Sequence, residues 1–175
     1  MPVKSKAEAK KITETLLEKI EVLRQEAQKR GERFEALTKE QLLSKIMGKT
    51  SKSPYLCAQS WGDTSAGGST TYKAFVHNPD PTAYDGRYLF GYLFFGPANF
   101  IGSPDVALTS VDERFPHYCQ KCGIAAGSDT TMTFTIDVPA GLKPGVYIGN
   151  CFLLLRNSFD VGTYFGRAAF HLTVT

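Results

Sequence analysis

The stretch Gly145–Arg156, Gly-Val-Tyr-Ile-Gly-Asn-Cys-Phe-Leu-Leu-Leu-Arg, sets the tightest limit on what this chain can fold into. Read as a strand, one parity carries Tyr147, Cys151, Leu153 and Leu155 and the other carries Val146, Ile148, Phe152 and Leu154, because successive side chains point to opposite faces. A half-solvated strand would leave several of these large residues in water, so this one is expected at the centre of a sheet with cover on both sides. The run 87–95 has the same two-sided character, with Tyr88, Phe90, Tyr92 and Phe94 against Leu89, Leu93 and Phe95. Both are expected as inner strands of one sheet.

What precedes these strands is of another kind. Residues from about 6 to 30 are rich in Ala, Glu, Lys, Leu and Gln and free of Gly and Pro, which predicts a helix. Ala9, Ile12, Leu16, Ile20, Leu23 and Ala27 recur every three or four residues, an apolar stripe that needs a partner. Gly31 is expected to end the helix. A second helix is predicted over 38–47, with Thr38 and Gln41 as a capping box and Gly48 at its end, and with Phe34 and Leu37 at the joint. The polar run 49–53 before Pro54 marks a boundary between a helical segment, 1–53, and a second region, 54–175.

Beyond Pro54 aromatic residues, Thr, Val and Gly rise while Lys and Glu thin out, the composition of an all-β domain. Strands are expected at 55–61, 70–77, 87–95, 106–111, 130–138, 146–156 and 163–174. The fifth alternates most cleanly, Met132, Phe134, Ile136 and Val138 against Thr131, Thr133, Thr135 and Asp137, so one face is predicted buried and one wet. The fold class is therefore α+β: N-terminal amphipathic helices followed by a seven-stranded antiparallel sandwich.

The phrase Gly67-Gly68-Ser69-Thr70-Thr71-Tyr72-Lys73-Ala74-Phe75-Val76-His77-Asn78-Pro79, then Ala126-Gly127-Ser128-Asp129-Thr130-Thr131-Met132-Thr133-Phe134, Val138-Pro139-Ala140-Gly141 and Pro144-Gly145-Val146-Tyr147, resemble the strands and turns of bacterial immunoglobulin-like modules of the cell-adhesion-related type. The resemblance covers residues 55–175. It implies a β-sandwich that binds, spaces or assembles, with no catalytic residues to carry over.

Charge is unevenly placed. Through Lys52 there are 13 Lys+Arg against 8 Asp+Glu, a balance of +5, leaving 7 against 9, or −2, for the remainder. The β region thus lacks the basic excess of a nucleic-acid binder, and no nucleic acid is expected as a partner. No run is long and apolar enough for a transmembrane segment, and the N-terminus lacks the apolar core of a secretory signal. The expected location is cytoplasmic.

Chemistry-bearing motifs are few. Cys119-Gln-Lys-Cys122, with His117 nearby, offers part of a zinc site but lacks a full ligand set; a redox pair and plain thiols in a turn are the other readings. Cys57 and Cys151 are expected as buried small hydrophobes, and His77 and His171 as packing residues. Gly62 to Gly68 is glycine-rich without the Gly-Lys-Ser/Thr ending of a phosphate loop, and is expected as a flexible connection. No acid, base and nucleophile converge in the sequence, so an enzyme is not expected and no cofactor is assigned.

The function expected is structural: a homo-oligomer formed through Ile12, Leu16, Ile20 and Leu23 on the first helix and Phe90, Tyr92 and Phe94 on an aromatic sheet face. The alternative is a protein-, peptide- or glycan-binding module with Tyr84, Asp85 and Asn99 in a ligand loop. A metal-dependent enzyme using Cys119, Cys122 and His117 ranks below both.

Overall fold

The computed structural model describes residues 5–48, 54–81, 83, 89–97, 124–138, 140–156 and 162–175, with 89–97, 134–137, 148–156 and 162–168 described through their backbone pairing. Helix α1 spans Lys6–Lys29. At its start the Glu8 amide donates to Ser5 Oγ (3.2 Å) and the Ser5 amide to Glu8 Oε2 (3.4 Å), a reciprocal cap for two otherwise orphaned donors. At its end Gly31, with φ of +68°, donates to the Gln28 carbonyl and Glu32 donates back to that of Ala27. This 6→1 closure needs a left-handed residue after the cap, which is why Gly terminates the helix.

The chain then forms a short strand, β1 (Arg33–Ala36), where only a joint between helices was expected. Charged Arg33 and Glu35 alternate with half-buried Phe34 and Ala36, a period-two signal four residues long that two flanking helices obscure. Helix α2 (Lys39–Met47) begins with the expected capping box, Gln41 amide to Thr38 Oγ1 at 3.2 Å and Thr38 amide to Gln41 Oε1 at 2.9 Å. Gly48 follows it in extended conformation rather than as a left-handed cap.

Six further strands are β2 (Tyr55–Trp61), β3 (Ser69–His77), β4 (Leu89–Pro97), β5 (Asp129–Asp137), β6 (Gly145–Arg156) and β7 (Gly162–Val174). They match six of the seven expected; the run 106–111 lies outside the described residues. All named strand pairs are antiparallel and form two sheets, ordered β1-β2-β3-β5 and β4-β6-β7. β6 is central in its sheet, as its two-sided pattern requires. β4 is its neighbour but, among the described residues, an edge strand rather than an inner one. The boundary expected at 53/54 is crossed by the first sheet, because β1 pairs with β2.

The two sheets meet face to face. Trp61, Tyr72, Ala74, Val76, Met132 and Val138 from the first share a core with Phe170, Leu172 and Val174 of β7. Tyr72 stacks on Phe170 at 4.9 Å between ring centroids, and the Trp61 indole N–H donates to the His171 carbonyl at 2.8 Å. Gln59 ties the layers further: it accepts from the Tyr72 hydroxyl (2.7 Å) and donates to the Ala169 carbonyl (3.0 Å). The Trp61 indole and the Gln59 amide thus find partners across the interface and the Tyr72 hydroxyl one in its own sheet, which is the condition for burying them.

On its other side the first sheet is covered by the helices. Ala9, Leu16, Ile20, Leu42 and Ile46 pack with Tyr55, Cys57, Ala58 and Phe75. A register shift between Leu56 and Ala58 makes this double duty possible for β2. Tyr55 and Trp61 have the same sequence parity, yet Tyr55 joins the helix layer and Trp61 the sheet–sheet core, because the inserted residue reverses the alternation.

The glycine-rich loop between β2 and β3 is pinned rather than a loose connection. The Thr64 amide donates to Thr173 O (3.2 Å) and the Thr175 amide to Thr64 O (2.9 Å), bridging to the end of β7. A Cβ on Gly68 would come 2.8 Å from Thr64 Oγ1 and 3.1 Å from the Ser65 carbonyl, so a larger residue there would have to displace the turn's own atoms.

Candidate docking face

The helix stripe is occupied within the chain. Leu16 and Ile20 are 1% and 3% exposed, and Ile12 and Leu23 are half-buried against the same helix–sheet core. Polar contacts around this layer hold it down. Lys19 reaches from α1 to Asp129 on β5, the Arg24 guanidinium lies 4.8 Å from the Phe34 ring centre, and Glu32 accepts from both Arg30 and Lys73. Burial pushes the Glu32 carboxyl up, but the Arg30 hydrogen bond and the charge of Lys73 outweigh it and hold the group below the usual glutamate value. Of the four stripe residues expected at an oligomer contact, Leu16 and Ile20 are buried within the chain and Ile12 and Leu23 are partly buried beside them, packed on the layer of α2, β2 and β3.

Beneath the helices lies a cluster of titratable side chains. Tyr55, His77 and Asp129 occupy one row across β2, β3 and β5, and His77 Nδ1 is 3.7 Å from Asp129 Oδ1. Cys57 sits close by in the same layer, 1% exposed. Burial drives its thiol up to about 12, so it stays protonated at neutral pH, the opposite of an activated nucleophile. Burial likewise raises the Tyr55 phenol, whose hydroxyl has no hydrogen-bond partner among the described residues. These features belong to a core.

The second sheet is different. Cross-strand partners share a face, and the pairing of β6 with β7 sets Tyr147 beside Leu172 and Gly149 beside Phe170, on the inward side. The opposite parity holds Val146 beside Thr173, Ile148 beside His171 and Asn150 beside Ala169; Val146 is 46% exposed, and Ala169 and His171 are exposed. Continued along β6, that parity includes Phe152 and Leu154. The pairing with β4 adds Phe94 opposite Asn150, Tyr92 opposite Phe152 and Phe90 opposite Leu154. Phe90, Tyr92 and Phe94 thus occupy alternate register positions of β4, whereas the helices cover the other sheet. The helices lie against the first sheet, beside the pairing of β1 with β2.

Sequence alternation singled out the three aromatic residues. It could not find the exposed His171, which the register of β7 against β6 sets opposite Ile148. The ligand-loop residues Tyr84, Asp85 and Asn99, and the metal set His117, Cys119 and Cys122, lie outside the described residues. Among the described residues no group of three His, Cys, Asp or Glu side chains could hold a metal, and no helix is long and apolar enough to cross a membrane.

The fold so defined is an α+β protein built on two facing antiparallel sheets, one of them covered by helices. No known family profile and no curated protein sequence matches the chain. Solved structures to which it is similar include the C-terminal domain of wzt, at 11% identity over 82% of this chain and 78% of that one, with a TM-score of 0.49. Another is the CARDB domain of the PF1109 protein from Pyrococcus furiosus, solved in complex with di-metal ions, at 10% identity over 67% and 84% and a TM-score of 0.37. A third is a Niemann-Pick type C2 protein from the Japanese carpenter ant, at 9% identity over 82% and 89% and a TM-score of 0.35. The assignment of fold rests on the pairing and packing described above, not on these likenesses.

Proposed function

We propose that this protein is a non-enzymatic assembly module, an immunoglobulin-like sandwich that associates with a second copy of itself through the outward face of the β4-β6-β7 sheet. One observation supports the reading: the helices cover the first sheet, while strand register sets Phe90 opposite Leu154 and Tyr92 opposite Phe152 in the second. The residues of β4 at these register positions, Phe and Tyr, are types enriched at interface centres. The helices act as a buttress that keeps the first sheet out of the contact.

The test is native mass by light scattering over a range of concentrations, on the full chain and on a Phe90→Ser, Phe94→Ser variant. A discrete dimer that the variant converts to a folded monomer supports the reading. A wild-type monomer at every concentration refutes it.

A further inference from the structure

We infer that the outer edge of β7 is closed to a further strand by groups reaching over from the first sheet, so that the β4-β6-β7 sheet cannot be extended at β7 by strand pairing, whether with a second copy or with another chain. This concerns an edge of the sheet and does not depend on the association through its face proposed above. A strand bonds one neighbour through alternate residues and the other neighbour through the residues between them. β6 takes one side of β7. On the other side Thr64 forms a parallel bridge with Val174, its amide donating to Thr173 O (3.2 Å) and its carbonyl accepting from the Thr175 amide (2.9 Å). Residues 169, 171, 173 and 175 therefore turn their backbone groups to the outer edge. The first three carbonyls of this series are all occupied: Gln59 Nε2 donates to Ala169 O (3.0 Å), Trp61 Nε1 to His171 O (2.8 Å) and the Thr64 amide to Thr173 O. The match is built into the sandwich. β2 and β7 run in the same direction, since numbering rises from Gln59 to Thr64 as it rises from Ala169 to Thr173, so donors two residues apart on β2 meet acceptors two residues apart on β7.

An incoming strand would have to displace these donors, and they have nowhere else to turn. Trp61 is 1% exposed and Gln59 6%, so an indole or amide N–H taken off its carbonyl would lose its partner without gaining water. Gln59 is held from its other side as well: its amide oxygen accepts from the Tyr72 hydroxyl, and Nε2 donates also to Glu35 (2.9 Å). The space is taken too. Because β2 reaches the edge of β7 and β1 lies beyond β2, a strand added beside β7 would lie over β1, where Glu35 and Arg33 sit; Arg33 donates to Asp63 (3.1 Å) and to Thr173 Oγ1 (3.4 Å). Charged side chains and a covering loop are common means of blocking edge-to-edge association. They give the short β1 a role beyond lengthening the first sheet.

The experiment compares the full wild-type chain with a Gln59→Leu, Trp61→Phe variant, which removes both side-chain donors and keeps apolar or aromatic bulk in their place. Circular dichroism checks folding, light scattering over a range of concentrations gives the mass, and mass spectrometry follows amide exchange in the peptide covering 169–175. The expected variant is folded and rises with concentration to about twice the wild-type mass, one new pairing of edges, while the 169–175 amides exchange more slowly in the associated form. A folded variant with the wild-type mass at every concentration overturns the inference, and so does a rise in mass without added protection in that peptide. The chain has a single Trp, which gives a readout that needs no substitution and decides the matter if the variant does not fold. Bonded to His171 O, the Trp61 indole proton should exchange slowly by NMR in the wild type; rapid exchange would mean that this carbonyl is uncapped and the edge open.

Discussion

Leu16→Ala separates the helix as a buttress from the helix as an oligomer seam. Leu16 is 1% exposed and belongs to the apolar cluster that includes Ile20, Leu42, Cys57 and Phe75. Removing three buried carbons from such a site loses transfer free energy and leaves a cavity, at a cost of about 2.7–5 kcal/mol. For a chain of this size each kcal/mol moves the midpoint by about 2–4 °C, so Tm should fall by roughly 5–20 °C, a large share of a typical stability of about 5–15 kcal/mol. Thermal unfolding followed by circular dichroism measures the fall, and light scattering at 20 °C measures the mass. The expected result is a strongly destabilised protein whose association state is unchanged. A variant with the wild-type Tm but lower mass would refute the placement, because it would mean the Leu16 side chain is used between chains.

Two other expectations follow from the electrostatics. Glu32 is held below its usual range, so its contribution to stability is complete above its unfolded value of 4.5 and is lost as pH falls through the lower folded value. Glu32→Gln should therefore unfold more easily at pH 7 and show a shallower loss of stability below pH 4.5 than the wild type; parallel acid limbs in denaturant titrations would contradict the Arg30–Glu32–Lys73 cluster. Cys57, buried with its thiol pushed up to about 12, should resist a maleimide at pH 8 in native protein and label fully in about 6 M guanidinium, where such domains unfold. Rapid native labelling of the Cys57 peptide, read by mass spectrometry, would show that the helix layer does not seal β2.

Local chemistry determined much of this protein in advance. The Thr38–Gln41 capping box, the stop at Gly31, the alternation of 130–138 and the doubly apolar 145–156 depend on neighbours in the chain, and those elements stand where their side-chain periods put them. Alternation also picked out Phe90, Tyr92 and Phe94 as one set. Three things depended on contacts far apart in sequence. The strand at Arg33–Ala36 forms because β2 offers it an edge, not because four residues prefer extension by themselves. The bulge at Cys57 reverses which side of β2 faces which layer, and parity cannot foresee an inserted residue. Above all, the apolar stripe of α1 needed a partner, but its sequence named none; the outer side of β2 and β3, with Tyr55, Cys57 and Phe75, supplies it. Periodicity fixes which face of an element must be buried, whereas the choice of cover is made by long-range packing, and that choice left the β4-β6-β7 face as the one to which the helices do not extend.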